Sequence, residues 1–131
     1  MTFTIEQVLQ LVLAMGLSAI IGYEREVRKK PAGLRTNMLV CVGSTLVMIV
    51  ATNYAGIIDP GRALQGIITG IGFLGAGTII GSGEKVKGLT TAATLWVIAC
   101  VGIALGLGYY FLALTVGALV IVILFLGKLE H

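Results

Sequence analysis

The sequence predicts an all-α fold, a polytopic membrane bundle of five transmembrane helices, and three observations carry that reading. The chain of 131 residues is 57% hydrophobic and only 11% charged, too little charge to cover the surface of a soluble domain. Apolar runs near the roughly 20 residues that a membrane span requires follow one another almost without pause. Basic residues gather between alternate runs, as orientation signals do. The chain reads as one domain over residues 1–128. Leu129-Glu130-His131 resembles the remnant of a C-terminal affinity tag, and a cytoplasmic domain is expected to be missing beyond the last helix.

The first span runs from about Ile5 to Tyr23. Glu6 precedes its apolar run and the positive cluster follows it, the reverse of a signal peptide. The second runs from Leu34 to Ala55. The third, from Arg62 to Gly81, is opened by Asp59-Pro60, an N-cap aspartate before a proline at the first helical position. The fourth covers Leu89 to Leu105 and the fifth Tyr109 to Gly127. The short Gly106-Leu107-Gly108 link predicts a tight antiparallel hairpin of these two. Cys41 and Cys100 lie inside apolar runs with no soft ligand close in sequence, so they read as small buried hydrophobes.

Five spans place eight of the nine basic residues on one side: Arg25, Arg28, Lys29, Lys30, Arg35, Lys85, Lys87 and Lys128, leaving Arg62 on the other. The positive-inside rule then puts the N-terminus outside and the C-terminus in the cytoplasm.

The third span is loaded with glycine. Each glycine costs about 1 kcal/mol in a helix interior relative to alanine, so such a density suggests close approach of helices. Gly66, Gly70, Gly77 and Gly81 fall near one helical face, and two pairs fit the small-xxx-small pattern. Internal packing of the bundle and a dimer or partner face both explain them. Ala14, Ser18 and Gly22 form a similar stripe on span one. Trp96, too deep for an interfacial belt, is expected to pack against the glycine helix, whereas Tyr109 and Tyr110 suit the external interface.

Three polar groups stand out. Glu24–Arg28 and Glu26–Lys30 are favourable i, i+4 pairs, and the Lys29-Lys30 end suits anionic lipid. Glu24 and Arg25 lie nearer the membrane, where a structural ion pair, between themselves or with Arg35, is expected. Arg35, Thr36 and Asn37 open span two on the side where Thr90 and Thr91 open span four, so a shared cytoplasmic polar cluster is allowed, with helix capping and arginine snorkelling as the alternative. On the external side Asp59, Arg62 and Gln65 form a second group, read either as a cap with an Asp59–Arg62 pair or as an entry or sensing site.

Little points to an enzyme. Gly70-Ile71-Gly72-Phe73-Leu74-Gly75 spells G-x-G-x-x-G, but inside a span and without the strand–turn–helix setting that gives the motif meaning. A carrier of a hard divalent cation should offer oxygen ligands, and transporters place polar groups at mid-membrane. Here Glu6, Glu24, Glu26, Asp59 and Glu84 all fall near span ends. Neutral groups such as Thr69 and Thr78 would have to line a pore in an oligomer instead.

Five blocks in order resemble the N-terminal membrane domain of the MgtC/SapB family: Gly22-Tyr23-Glu24-Arg25-Glu26, Ala32-Gly33-Leu34-Arg35-Thr36, Asp59 with Arg62 and Gln65, Gly70 through Gly77, and Gly88-Leu89-Thr90-Thr91-Ala92-Ala93 with Leu95-Trp96. The resemblance implies a multi-pass bacterial inner-membrane protein associated with growth at low magnesium and survival inside host cells. It implies a non-enzymatic regulator that contacts ATP synthase, small membrane peptides or other membrane proteins. The expected partners are the lipid bilayer, such membrane proteins and a second copy of the chain, with no nucleic acid, metal or cofactor. A cation or small-solute transporter or channel is the alternative.

Overall fold

Local signals start and stop the helices of the computed structural model, which describes residues 4–54, 56, 58–82 and 85–128. Five helices follow in order: α1 (Ile5–Val27), α2 (Leu34–Asn53), α3 (Pro60–Thr78), α4 (Leu89–Gly106) and α5 (Tyr110–Phe125). A hairpin of β1 (Ile80–Ser82) and β2 (Lys85–Lys87) joins α3 to α4, and a 3-10 turn, Leu126–Lys128, closes the described chain. Residues 129–131, Ala55 and Glu84 lie outside the described residues.

α1 opens with a capping box: Thr4 Oγ1 accepts from the Gln7 N–H (3.2 Å) while Gln7 Oε1 accepts from the Thr4 N–H (3.2 Å). It runs four residues past the expected Tyr23, because the charged stretch after Tyr23 continues the helix. Lys29 ends it in the left-handed region (φ 56°), with Lys29 N–H bonded to the Glu26 carbonyl and Lys30 N–H to the Arg25 carbonyl, both at 3.0 Å. That is a Schellman closure with lysine where glycine is usual. Asp59 caps α3 as expected, accepting from the Gly61 N–H (3.0 Å), and Pro60 is its first residue.

The third helix is shorter than expected. It ends at Thr78, and Gly81 pairs with Val86 in the hairpin instead of extending the glycine face. The Thr78 hydroxyl bonds back to the Gly75 carbonyl (2.7 Å), Ile79 is extended, and β-branched Ile79-Ile80 favours strand over helix. Gly88 then turns the chain at φ 93°, where an added Cβ would collide with the Thr78 carbonyl.

α4 is the core element. Leu95, Ile98, Ala99, Val101 and Leu105 are buried, and the main cluster joins Ile98, Val101 and Leu105 to Ala14 and Ile21 of α1, Cys41 of α2, and Ala113, Val120 and Leu124 of α5. A smaller cluster sets Ile71 of α3 against Leu95 and Ala99. α2 approaches α4 closely. A Cβ at Gly102 would stand 2.6 Å from the Cys41 carbonyl oxygen, and one at Gly106 would stand 2.8 Å from that of Thr45. Thr45 bonds across the seam to the Gly102 carbonyl (2.9 Å). Gln10 of α1 donates to the carbonyls of Leu105 (2.7 Å) and Gly106 (3.1 Å), closing the end of α4.

Among the described residues, three helices are long and apolar enough to cross a membrane: α1, α2 and α4. α5 is apolar but has 16 residues, and α3 has 19 residues diluted by glycine, Arg62 and Gln65.

Gly102→Leu should lower the unfolding midpoint in detergent, by the equivalent of about 1–3 kcal/mol for overpacking. Gly72→Ala, where a Cβ meets open space, should be neutral or stabilising by up to ~1 kcal/mol. Equal effects would refute this packing.

Candidate functional site

Two surface features gather the residues singled out by sequence. The first is an apolar groove of about 310 Å³ between α2 and α3, lined by Leu39, Val40, Gly43, Ser44, Val47, Ile67, Gly70, Ile71 and Leu74. Its shape follows from missing side chains: nothing lies within 4 Å of a Cβ built at Gly43 or Gly70. Gly66, Gly72 and Gly77 are equally open, and α3 buries only Ile71 and Gly75. The bundle therefore does not pack through Gly66, Gly70 or Gly77. The α3–α4 contact is made by Gly75, whose Cβ would meet that of Ala92 at 3.5 Å. Trp96, expected against the glycine helix, is 46% exposed and belongs to neither buried cluster. The stripe on α1 does pack internally: Ala14, Ser18 and Gly22 are all buried, with Gly22 against Leu34 and Asn37 of α2.

The second feature is a basic cleft of about 720 Å³ at one end of the bundle. Arg25 at the end of α1, Lys29, Lys30 and Pro31 of the following loop, Lys87 of β2, and Thr90 and Thr91 of α4 line it together with Thr78, Val86, Gly88 and Leu89. A smaller cleft of about 180 Å³ reaches Arg25, Arg28, Lys30, Thr90 and Gly127 from the α5 side. The loop after α1, the hairpin and the end of α5 thus meet at one end, which gathers Arg25, Arg28, Lys29, Lys30 and Lys87.

Arg25 is the buried charge of this end, 2% exposed. Its Nη1 meets Glu24 Oε2 at 3.3 Å, and Glu24 Oε1 also meets Arg28 Nε at 3.6 Å. Arg25 Nε has no hydrogen-bond partner among the described residues. Asn37 is buried behind the loop, its amide donating to the Gly33 carbonyl (2.7 Å) and the Ala32 carbonyl (3.3 Å).

Of the group expected on the cytoplasmic side, Arg25, Thr90 and Thr91 share the cleft, Glu24 braces it, and Asn37 sits beside the loop. Arg35 and Thr36 line neither cleft, and Arg35 is exposed. Glu24 pairs with Arg25 and Arg28 rather than Arg35. The Glu26–Lys30 pair is absent among the described residues: α1 has ended before Lys30, and Glu26 instead accepts from the Leu34 N–H (2.9 Å), capping α2.

At the opposite end Asp59, Arg62 and Gln65 are all exposed. Asp59 acts as the cap, and no Asp59–Arg62 ion pair forms among the described residues, since the carboxylate is turned to the Gly61 N–H. A polar pocket of about 190 Å³ lies at the end where α1 starts, lined by Thr4, Glu6, Gln7, Gln10, Thr52, Asn53 and Gly106–Gly108. Sequence reading missed it. The signal available was glutamines at positions 7 and 10 inside an otherwise apolar run. Among the described residues, no three His, Cys, Asp or Glu side chains converge.

A bundle of apolar helices with one basic end and an unfilled helix groove defines a helical membrane protein. The chain belongs to the MgtC family, whose model matches residues 11–131. It is 48% identical over 103 residues to the protein MgtC of Salmonella typhimurium LT2, which covers 79% of this chain and 44% of that one. It is 42% identical over 115 residues to YhiD of Escherichia coli K12, a protein whose name assigns it provisionally to magnesium transport, covering 82% of this chain and 54% of that one. The protein MgtC of Brucella abortus is 48% identical over 92 residues, covering 70% of this chain and 39% of that one. The chain spans about half the length of these relatives or less. No solved structure matches it.

Glu24→Ala should destabilise the chain by about 1.5–3 kcal/mol, the worth of hydrogen bonds to charged groups, because it strips the carboxylate from Arg25 and Arg28. Arg62→Ala, exposed and unpaired among the described residues, should stay within about 0.5 kcal/mol. Denaturant titrations of both variants in one detergent check the difference.

Proposed function

We propose that this chain is the membrane-embedded part of a non-enzymatic regulator, and that its α2–α3 groove receives an apolar helix of another membrane protein. The observation that carries the reading is the open floor at Gly43 and Gly70. Without a driving force from water, helices in lipid associate by close packing, and small residues supply the approach. A groove flanked by Leu39, Val47 and Leu74 offers an incoming helix both depth and dispersion contacts. The partners in view are a small membrane peptide, a subunit of ATP synthase or a second copy of the chain, in adaptation to low magnesium.

In this reading all five helices cross the inner membrane. The gathering of basic residues at one end supports a cytoplasmic placement of that end, with the N-terminus outside. Cation or solute transport is the second reading, favoured by the name of YhiD. Against it, the carboxylates of the described residues lie at helix ends or loops.

A photocrosslinker at Leu39 or Leu74 in cells should give a discrete adduct with a membrane polypeptide. That adduct should fall severalfold in a Gly43→Leu, Gly70→Leu double variant. Adducts with lipid alone, or adducts indifferent to the double variant, would end the helix-docking reading. Magnesium uptake by sealed proteoliposomes, beside a known channel as control, would instead favour transport.

A further inference from the structure

We infer that the basic cleft between the α1–α2 loop and the start of α4 binds a phosphate group, borne by an anionic lipid headgroup or free in solution. The carrying observation is Arg25. Its side chain is 2% exposed and lines the cleft, yet its Nε lacks a partner among the described residues. A buried charged donor without an acceptor is costly. An oxyanion seated in the cleft brings negative charge against the buried guanidinium, whose planar fork matches two phosphate oxygens better than an ammonium does.

The start of α4 is an independent contribution. Its N-cap is Gly88, which offers no side-chain cap, so among the described residues the first-turn N–H groups receive no side-chain acceptor. Thr90 and Thr91 of that turn line the same cleft. α4 has 18 residues, long enough for its dipole to favour an anion at this end. Lys29, Lys30 and Lys87 add positive charge around the opening. Glu24, the carboxylate beside Arg25, is already shared by Arg25 and Arg28. The net field attracts an anion and repels a free divalent cation.

The loop holds its lysines there at a conformational cost. Lys29 occupies the left-handed position that glycine would fill with less strain. Lys29→Gly therefore separates structure from binding: it relieves the backbone and removes a cation.

The test uses the chain purified in non-ionic detergent and stripped of lipid. Native mass spectrometry and thermal shift would follow titration with inorganic phosphate, with phosphatidylglycerol and with a neutral glycolipid. Saturable binding of phosphate identifies a soluble source, and binding of phosphatidylglycerol alone identifies a headgroup; either supports the site. Lys30→Ala with Lys87→Ala, both exposed positions, should weaken that binding roughly tenfold, as should Arg25→Lys, which keeps charge and loses the fork. Lys29→Gly should raise the unfolding temperature while weakening binding. The inference is overturned if neither phosphate nor phosphatidylglycerol binds above the neutral glycolipid, or if the lysine and arginine variants bind as the parent does.

Discussion

The seam between α2 and α4 is the constraint on which the rest of the bundle rests. At Gly102 and Gly106 the helices approach so closely that a single methyl would meet backbone carbonyls. That closeness lets Thr45 reach the Gly102 carbonyl and bury its own hydroxyl with a partner. With α2 pressed onto α4, α1, α3 and α5 cover the remaining sides, and the main cluster closes around Ile98, Val101 and Leu105. Gln10 satisfies the carbonyls at the end of α4, so the most buried helix ends without orphan acceptors.

α3 is the consequence of that arrangement. It meets α4 through Gly75 and Ile71, while most of its glycines face outward. A helix that gives up glycine's propensity cost without using the space inside its own chain is locally inconsistent, and such inconsistencies concentrate at functional surfaces. The groove between α2 and α3 is where this one becomes a shape.

Helix existence was readable because the signals are local: Asp59-Pro60 for the start of α3, Gly106-Leu107-Gly108 for the α4–α5 turn, and apolar length for the rest. Helix α3 stopped early because Thr78 and two β-branched residues outweigh the apolar pattern. Which glycines pack was not readable. Gly66-xxx-Gly70 and Gly102-xxx-Gly106 have the same spacing, yet one is open and the other sits where α2 presses on α4. The difference lies in which helix stands opposite, a property of topology and not of spacing. At the basic end, Arg25 with Thr90 and Thr91 could be grouped because three loops must share a side. The roles of Lys29 and Lys87 depend on a left-handed residue and a hairpin that no motif announced.

The two surface features are not independent in the fold. Thr78 is the last residue of α3, lines the basic cleft and bonds to the Gly88 carbonyl at 3.4 Å. Gly88 in turn starts α4, whose first turn faces the same cleft. α3 therefore walls the groove along its length and meets the cleft at its end. Any ligand that fixes the Thr78–Gly88 junction acts on the element that shapes the groove. α3 buries only Ile71 and Gly75, the fewest buried residues of the five helices. Coupling between the sites would require a difference in affinity for two seats of α3, and would then act equally in both directions.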